Sequence, residues 1–250
     1  MSVIRAERDD SSACLAALPP QAWPQGNDVH VWCIDLQAPP AASSQCLDEA
    51  ELERARRFVH SDDARRYVHA HVALRAILGA YLGCEPARAA FVQEPQGKPR
   101  LVGPRAGLHF NLSHSKELAL LALGTAAELG VDVEAVRPDL PGPDLAAAVL
   151  DPRELEQLAA LADGAQAEPF VTCWTRKEAC LKAVGLGLNL EPRNLHAGLE
   201  PQPMRLHIGA RELELVSLGV PAGFRAALAV AGGIGRVMRF ELDGAGVLAR

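Results

Sequence analysis

The sequence lacks a long hydrophobic run. Its apolar stretches, such as Leu118–Leu123 and Ala226–Ala231, are six residues long, whereas a membrane helix needs about 20. The N-terminus carries Arg5, Glu7, Arg8, Asp9 and Asp10 with no apolar stretch behind them, so no secretory signal is expected. These absences predict a soluble chain with no membrane partner. Metal-type cysteine spacing is missing as well: the six cysteines (Cys14, Cys33, Cys46, Cys84, Cys173, Cys180) form no C-x-x-C pair. Neither a zinc site nor a disulfide framework is indicated, and a cytoplasmic, reducing compartment fits. Excess positive charge is lacking too. The formal net charge of −6 excludes a general nucleic-acid binder, which is usually basic.

What remains is 250 residues, 49% of them hydrophobic, enough to bury a real core as one large domain or two small ones. Charge is unevenly spread. Residues 51–105 hold ten Lys/Arg against six Asp/Glu, so one part of an acidic protein is basic. That segment is either a solvated helix face or a site for a polyanionic small molecule.

After a Pro-rich opening (Pro19, Pro20, Pro24), Val29–Leu36 reads as a strand closed by the stretch Pro39–Gln45. Leu52, Ala55, Phe58 and Val59 suit one helix. Ser61 can cap a second, long and amphipathic, in which Ala64, Tyr67, Val68, His71, Leu74, Leu78, Tyr81 and Leu82 repeat up to Gly83. Short β-like pieces follow at Ala89–Gln93, Leu108–Leu112, Leu118–Leu123 and Gly130–Glu134. Asp151-Pro152-Arg153-Glu154 is a helix start with N-cap, proline and capping acid, and Leu155, Leu158 and Leu161 are its expected buried side. Pro169–Val184 reads as a helix ended by Gly185 and Gly187. Met204–Ile208, Glu212–Leu218 and Phe224–Ala231 return to strands. Helix-then-strands occurs twice, which predicts two α+β halves meeting near residues 125–130.

In Gly130-Val131-Asp132-Val133-Glu134 a strand would turn both carboxylates to one side, about 7 Å apart at their bases. Such a pair repels itself unless a cation intervenes, and oxygen ligation suits Mg²⁺; the alternative is a solvent-facing acidic edge. On the helix that follows, Trp174, Glu178 and Lys182 recur at i, i+4 and i+8 and share a face. Glu178 and Lys182 there are either a surface ion pair or, between Trp174 and Leu181, a partly buried carboxylate and ammonium for a metal and phosphate site. Phe110-Asn111-Leu112-Ser113-His114-Ser115 offers a hydroxyl and an imidazole, and Gly97-Lys98-Pro99 sets a lysine on a tight turn. A Ser-His-Asp hydrolase does not fit. The sequence has no G-x-S-x-G elbow, and the side chains of Ser113 and His114 diverge on a strand. His114 suits a phosphate contact better. His69 and His71, two apart on a helix, do not face each other as a metal pair, and His71 reads as a core or groove residue.

Taken in order, Gly97-Lys98-Pro99, Phe110–Ser115, Gly130–Glu134 and Trp174-Thr175-Arg176-Lys177-Glu178-Ala179-Cys180-Leu181-Lys182 resemble the motif set of the Sfp-type 4′-phosphopantetheinyl transferases. Arg56-Arg57-Phe58 and Asp63-Ala64-Arg65-Arg66-Tyr67 extend the likeness, which covers roughly residues 48 to 190. The resemblance implies an α+β pseudo-dimer of two similar α/β halves, with mainly antiparallel sheets and packed helices. Residues 1–127 would form a basic half that contacts coenzyme A phosphates, and residues 128–250 a half with the metal site and catalytic helix. It also implies transfer of phosphopantetheine from coenzyme A to a serine of an apo acyl or peptidyl carrier protein, with release of 3′,5′-ADP. Asp132, Glu134 and Glu178 would bind Mg²⁺, with Mn²⁺ as an alternative. Arg54, Arg66, Lys98, Ser113 and His114 would hold the phosphates. Lys182 would stabilise the departing nucleotide, and Glu178, directly or through a metal-bound water, would take the serine proton.

One position departs from the pattern. Glu51 stands three residues before Arg54 where the family's type enzyme has lysine, and Arg56, Arg57 or Arg65 is the expected replacement. The internal pseudo-dimer predicts a monomer. The chain is about twice as long as the short trimeric type, which favours broad carrier use, including polyketide and nonribosomal-peptide carriers. Competing readings of the same carboxylates are a metal-dependent nucleotide phosphohydrolase and an inactive module that binds coenzyme A or a carrier.

Overall fold

The computed structural model describes residues 23–40, 42–93, 97–103, 107–125, 129–139, 141–162, 164–185, 190–243 and 246–249. Cys14, Pro19, Pro20 and Gly187 lie outside them. In chain order the elements are β1 (Val29–Asp35), α1 (Glu49–Arg56), α2 (Ser61–Leu82), β2 (Phe91–Gln93), β3 (Pro99–Leu101), β4 (His109–Ser115), β5 (Leu118–Gly124) and β6 (Leu129–Ala135). Then follow α3 (Pro143–Val149), α4 (Pro152–Ala159), α5 (Ala167–Val184), β7 (Met204–Ile208), β8 (Arg211–Leu218), β9 (Phe224–Ala231), β10 (Val237–Asp243) and β11 (Gly246–Ala249). No helix among the described residues is long and apolar enough to cross a membrane.

Two sheets stack in the middle with a helix outside each. One has the order β11-β10-β1-β5-β4 and the other β6-β9-β8-β7; all pairs are antiparallel except the parallel β1–β10. Trp32, Ile34, Leu74, Ile77, Tyr81, Phe110 and Leu121 pack α2 on the first sheet. Phe170, Val171, Cys173, Cys180, Leu213, Leu215 and Ala229 pack α5 on the second. Val29, Val31, Leu118, Leu120, Val131, Val133 and Leu228 fill the space between the sheets. Successive residues of β5 therefore serve different layers, Leu120 the inter-sheet core and Leu121 the α2 core. This is why its sequence is an unbroken apolar run, as in strands covered on both faces.

The α+β pseudo-dimer architecture matches the sequence expectation, with several differences in detail. Ser61 is the first residue of α2, and His60, without a side-chain cap bond, precedes it. Residues 72–81 of that helix are buried without interruption, so its second half is a central helix and not an amphipathic one. Leu161 lies beyond the end of α4 and is 36% exposed. Leu158 is buried as expected, and Glu154, the capping acid, is buried beside it. β3, α3, β10 and β11 carry no strong sequence signal. The last two strands do not stay with residues 129–231: β10 pairs with β1, so the chain's end lies in the first sheet.

The edge strands of the two sheets, β4 and β6, meet through side chains. Asn111 Oδ1 accepts from Val131 N at 2.8 Å, Ser113 Oγ donates to Asp132 Oδ1 at 2.8 Å, and Ser115 Oγ donates to Glu134 Oε2 at 2.7 Å. Residues two apart on a strand share a face, so Ser113 and Ser115 meet Asp132 and Glu134 at equal spacing, and Asn111 continues the seam to the Val131 backbone amide. The candidate site opens there.

Candidate active site

Ser113, His114, Asp132, Glu134, Trp174, Glu178 and Lys182 line one open cavity of about 430 Å³. β4 supplies the first two, β6 the carboxylate pair and α5 the remaining three, so the fold brings these residues to one cavity. Trp174, Glu178 and Lys182 follow the helical repeat along the face of α5 that meets the seam.

Lys182 does not pair with Glu178. Its Nζ lies 2.6 Å from Asp132 Oδ1 and donates to Ser113 Oγ at 2.9 Å. Asp132 is 2% exposed, and its other oxygen, Oδ2, is buried with no hydrogen-bond partner among the described residues. An orphaned buried carboxylate oxygen is costly. Burial, and next the Asp132 charge, push the Glu134 and Glu178 carboxyls above their ordinary range. For His114, burial first and then the neighbouring charges of His71, Lys182 and Arg54 lower the imidazole to about 4, so the ring is neutral near pH 7. Asp132, Glu134 and Glu178 line the cavity with hard oxygen donors, one of them unmet, and this donor chemistry fits a divalent cation such as Mg²⁺, although their oxygens do not all lie within 4.8 Å of one another.

Three expected phosphate contacts do not line this cavity. Arg54 lies over the Tyr67 ring with its guanidinium carbon 5.8 Å from the centroid, near enough to His114 to shift its titration. Arg66 is held elsewhere: its Nε and NH2 donate to Glu117 at 2.9 and 2.5 Å, and NH1 donates to Asp63 at 3.0 Å. The ammonium of Lys98 donates to two backbone carbonyls, Leu129 O at 3.1 Å and Ala183 O at 3.0 Å. Arg65 and Arg56, offered as replacements at the Glu51 position, are also engaged, with Glu117 and Glu49.

Glu51 itself has a structural role. It completes the capping box of α1 with Asp48 and accepts from Arg75 Nε at 2.7 Å, while His71 Nδ1 lies at 2.9 Å. The partly buried His71 ring also lies against Tyr67, 4.1 Å between centroids and tilted by 31°. Much of the basic segment is therefore neutralised internally, and its net charge overstates what faces a ligand.

A second acidic group, Asp151, Glu154 and His196, brings its ligand atoms within 4.8 Å of one another; it is the one such trio among the described residues. Its chemistry does not suit a metal. Glu154 is 0% exposed and accepts from Asp151 N, Ala197 N, Gly198 N and Lys177 Nζ. A lysine already fills the role of the cation.

Sequence reasoning did not assign a role to Asn111, Ser115 or Gly130. Period-two spacing carried the signal for the first two. A Cβ on Gly130 would come within 2.2 Å of Ala179 O and 2.3 Å of Ala183 N, so β6 and α5 touch backbone to backbone.

Comparison with known proteins accounts for both halves. Residues 38–126 match the model of the 4′-phosphopantetheinyl transferase N-terminal region, and residues 128–213 that of the 4′-phosphopantetheinyl transferase superfamily. The 4′-phosphopantetheinyl transferase HetI of Nostoc sp. is 38% identical over 221 residues, which cover 86% of this chain and 92% of that protein. The chain belongs to the 4′-phosphopantetheinyl transferase family. A putative 4′-phosphopantetheinyl transferase of Synechocystis sp. is 34% identical to this transferase over 64% of the chain and 65% of its own length. The 4′-phosphopantetheinyl transferase Sfp of Bacillus subtilis is 28% identical over 58% and 62%, respectively. As an enzyme of this family the chain takes coenzyme A as substrate and moves phosphopantetheine to carrier proteins.

Proposed function

We propose that the cavity at the β4–β6 seam is where the pyrophosphate of coenzyme A is cleaved, with Asp132, Glu134 and Glu178 holding Mg²⁺ (or Mn²⁺). The observation that carries this reading is the partnerless buried Oδ2 of Asp132 beside two further carboxylates and the Lys182 ammonium. A divalent cation bound there supplies neutralisation of the charge on the pyrophosphate that would otherwise repel a nucleophile.

The protein's own groups do the rest. Lys182, oriented by Ser113, donates to the phosphate oxygens and stabilises the charge that develops on the leaving 3′,5′-ADP. Neutral His114 offers a ring N–H to a phosphate oxygen from the Arg54 side of the cavity, and Arg54 adds long-range positive charge. Arg66 and Lys98 act behind this layer, holding backbone and acidic partners. Glu178, whose raised carboxyl is a better base than an exposed one, accepts the proton from the carrier serine. The serine oxygen bonds to phosphorus as the bond from phosphorus to the ADP oxygen breaks.

Trp174 lines the same cavity as Glu134 and Glu178 and offers an apolar wall for the approach of the carrier serine. Residues 1–127 then serve mainly the nucleotide, and residues 128–250 the metal and base. The natural setting is a cytoplasmic monomer acting on several acyl and peptidyl carriers, including those of polyketide and nonribosomal-peptide assembly.

Incubation with coenzyme A, Mg²⁺ and a panel of apo carriers tests this reading. Each accepted carrier gains the mass of one phosphopantetheine, and 3′,5′-ADP appears in equal amount. No mass gain with any acyl or peptidyl carrier refutes it.

A further inference from the structure

We propose that Lys98 is a positioning residue that, with the backbone contact at Gly130, sets the distance between the carboxylates of β6 and the glutamate and lysine of α5. The inference rests on the proposed reaction at that site. Lys98 belongs to the turn entering β3, where Gly97 has φ 88°, a left-handed conformation suited to glycine. From there its side chain reaches into the other half of the molecule. The ammonium donates at once to Leu129 O, at the start of β6, and to Ala183 O, in the last turn of α5.

Both acceptors are next to the chemistry. Leu129 lies three residues before Asp132 on the same strand, and Ala183 directly follows Lys182. The last carbonyls of an α-helix have no intrahelical donor, and a cation at that end is favourable. Lys98 meets both conditions with one group that also grips the neighbouring strand. Its stem runs alongside the helix cap, with Cδ 3.6 Å from the position of a Cβ on Gly185.

Beneath this tie, Gly130 lets β6 approach α5 until a methyl group would collide with Ala179 O and Ala183 N. Gly130 sets how close the two elements can come, and Lys98 keeps them from parting or sliding. The 2.6 Å contact between Lys182 and Asp132 is the result. A group that orients ligand-bearing elements in this way changes metal affinity and turnover more than substrate affinity.

Lys98→Met and Lys98→Arg separate this role from a direct phosphate contact. Mn²⁺ binding is measured by electron paramagnetic resonance without coenzyme A, alongside kcat, KM for coenzyme A and thermal unfolding. The methionine variant is expected to bind Mn²⁺ about 10-fold more weakly and to lose about 10-fold in kcat. Its KM for coenzyme A should stay within about two-fold of wild type, and arginine should restore part of the loss. Lys98→Gln, which keeps an amide donor but loses the charge and the reach of the ammonium, carries the same test where methionine prevents folding. A rise in KM with unchanged kcat and Mn²⁺ binding overturns the proposal in favour of a phosphate contact. Unchanged binding and kinetics below the melting temperature, with or without a lower melting temperature, overturn it too. A wild-type chain that binds no Mn²⁺ and transfers nothing refutes the proposed function itself. A wild-type chain that does both, beside an indifferent Lys98→Met, refutes only the role of Lys98.

Discussion

Helix α5 carries two lysines, Lys177 and Lys182, that meet buried acids in different ways. Lys177 is 0% exposed and spends its ammonium on Glu154 Oε2 at 2.5 Å, Val149 O at 2.7 Å and Pro192 O at 3.1 Å. Glu154 in turn has both oxygens filled by backbone amides and that lysine. Lys182 is 29% exposed in its side chain, and the carboxylate it touches keeps one oxygen without a partner. The first pair is closed and holds α4, α5 and the loop at Ala197 together. The second is left incomplete at a cavity. Buried charge is common to both, so completeness of the hydrogen bonding tells the structural cluster from the reactive one.

This contrast breaks most clearly at Glu178. Glu178→Gln removes the proposed base and one metal ligand, and phosphopantetheine transfer should fall by about 10²–10⁴-fold, with the fold in urea no less stable than wild type because the same variant relieves repulsion from Asp132. Near-normal transfer in a mass assay removes Glu178 from the mechanism.

Lys177→Met should do the reverse. It strands the Glu154 carboxylate, a loss of about 3–5 kcal/mol read from urea unfolding, while turnover per folded molecule persists. A stable variant without activity would assign the closed cluster to catalysis.

Acid sharpens the comparison next. Burial by itself would raise the Glu154 carboxyl, but Lys177 and the Asp151 and Ala197 amides outweigh it and hold the group below its usual range. A carboxylate depressed on folding stabilises the protein above its unfolded value, and this is lost as pH falls through the carboxylate range. His30 acts at higher pH. Burial lowers it from 6.5 to about 4, so the folded state refuses a proton that the unfolded chain takes up. Its contribution is complete above pH 6.5 and is lost as pH falls toward 4, by about 2 kcal/mol at pH 5. Urea titrations of wild type and His30→Gln between pH 8 and pH 5 check this; equal slopes would contradict it.

The smallest effect is a gain. Glu134→Gln, measured in EDTA, relieves repulsion from Asp132 and should stabilise the fold by about 0.5–1 kcal/mol while transfer falls. Lower stability would mean that the Ser115 bond to Glu134 outweighs the repulsion.

Much of this molecule is written locally. The capping box at Asp151 and Glu154 was legible because a cap needs only neighbours in sequence, and α5 was legible from its period and the terminating Gly185. The carboxylates of β6 and the Glu178–Lys182 face followed from strand and helix periodicity, and their order along the chain pointed to the family. β10 was not legible. Its pairing with β1 joins residues about two hundred apart, and no local pattern encodes such a partner. The partners of the basic residues were equally hidden. Arg66 donates to Glu117 and Lys98 to two carbonyls, partners that no local pattern foretold.

The sequence by itself determined which residue types line up on each element, hence the three carboxylates, the lysine beside them and the chemistry they suit. Only the tertiary structure decided which charges are spent. Pairing depends on distances between elements far apart in the chain. There Arg66, Lys98 and Lys177 are consumed by Glu117, backbone carbonyls and Glu154, while Asp132 keeps an oxygen unmet at the seam.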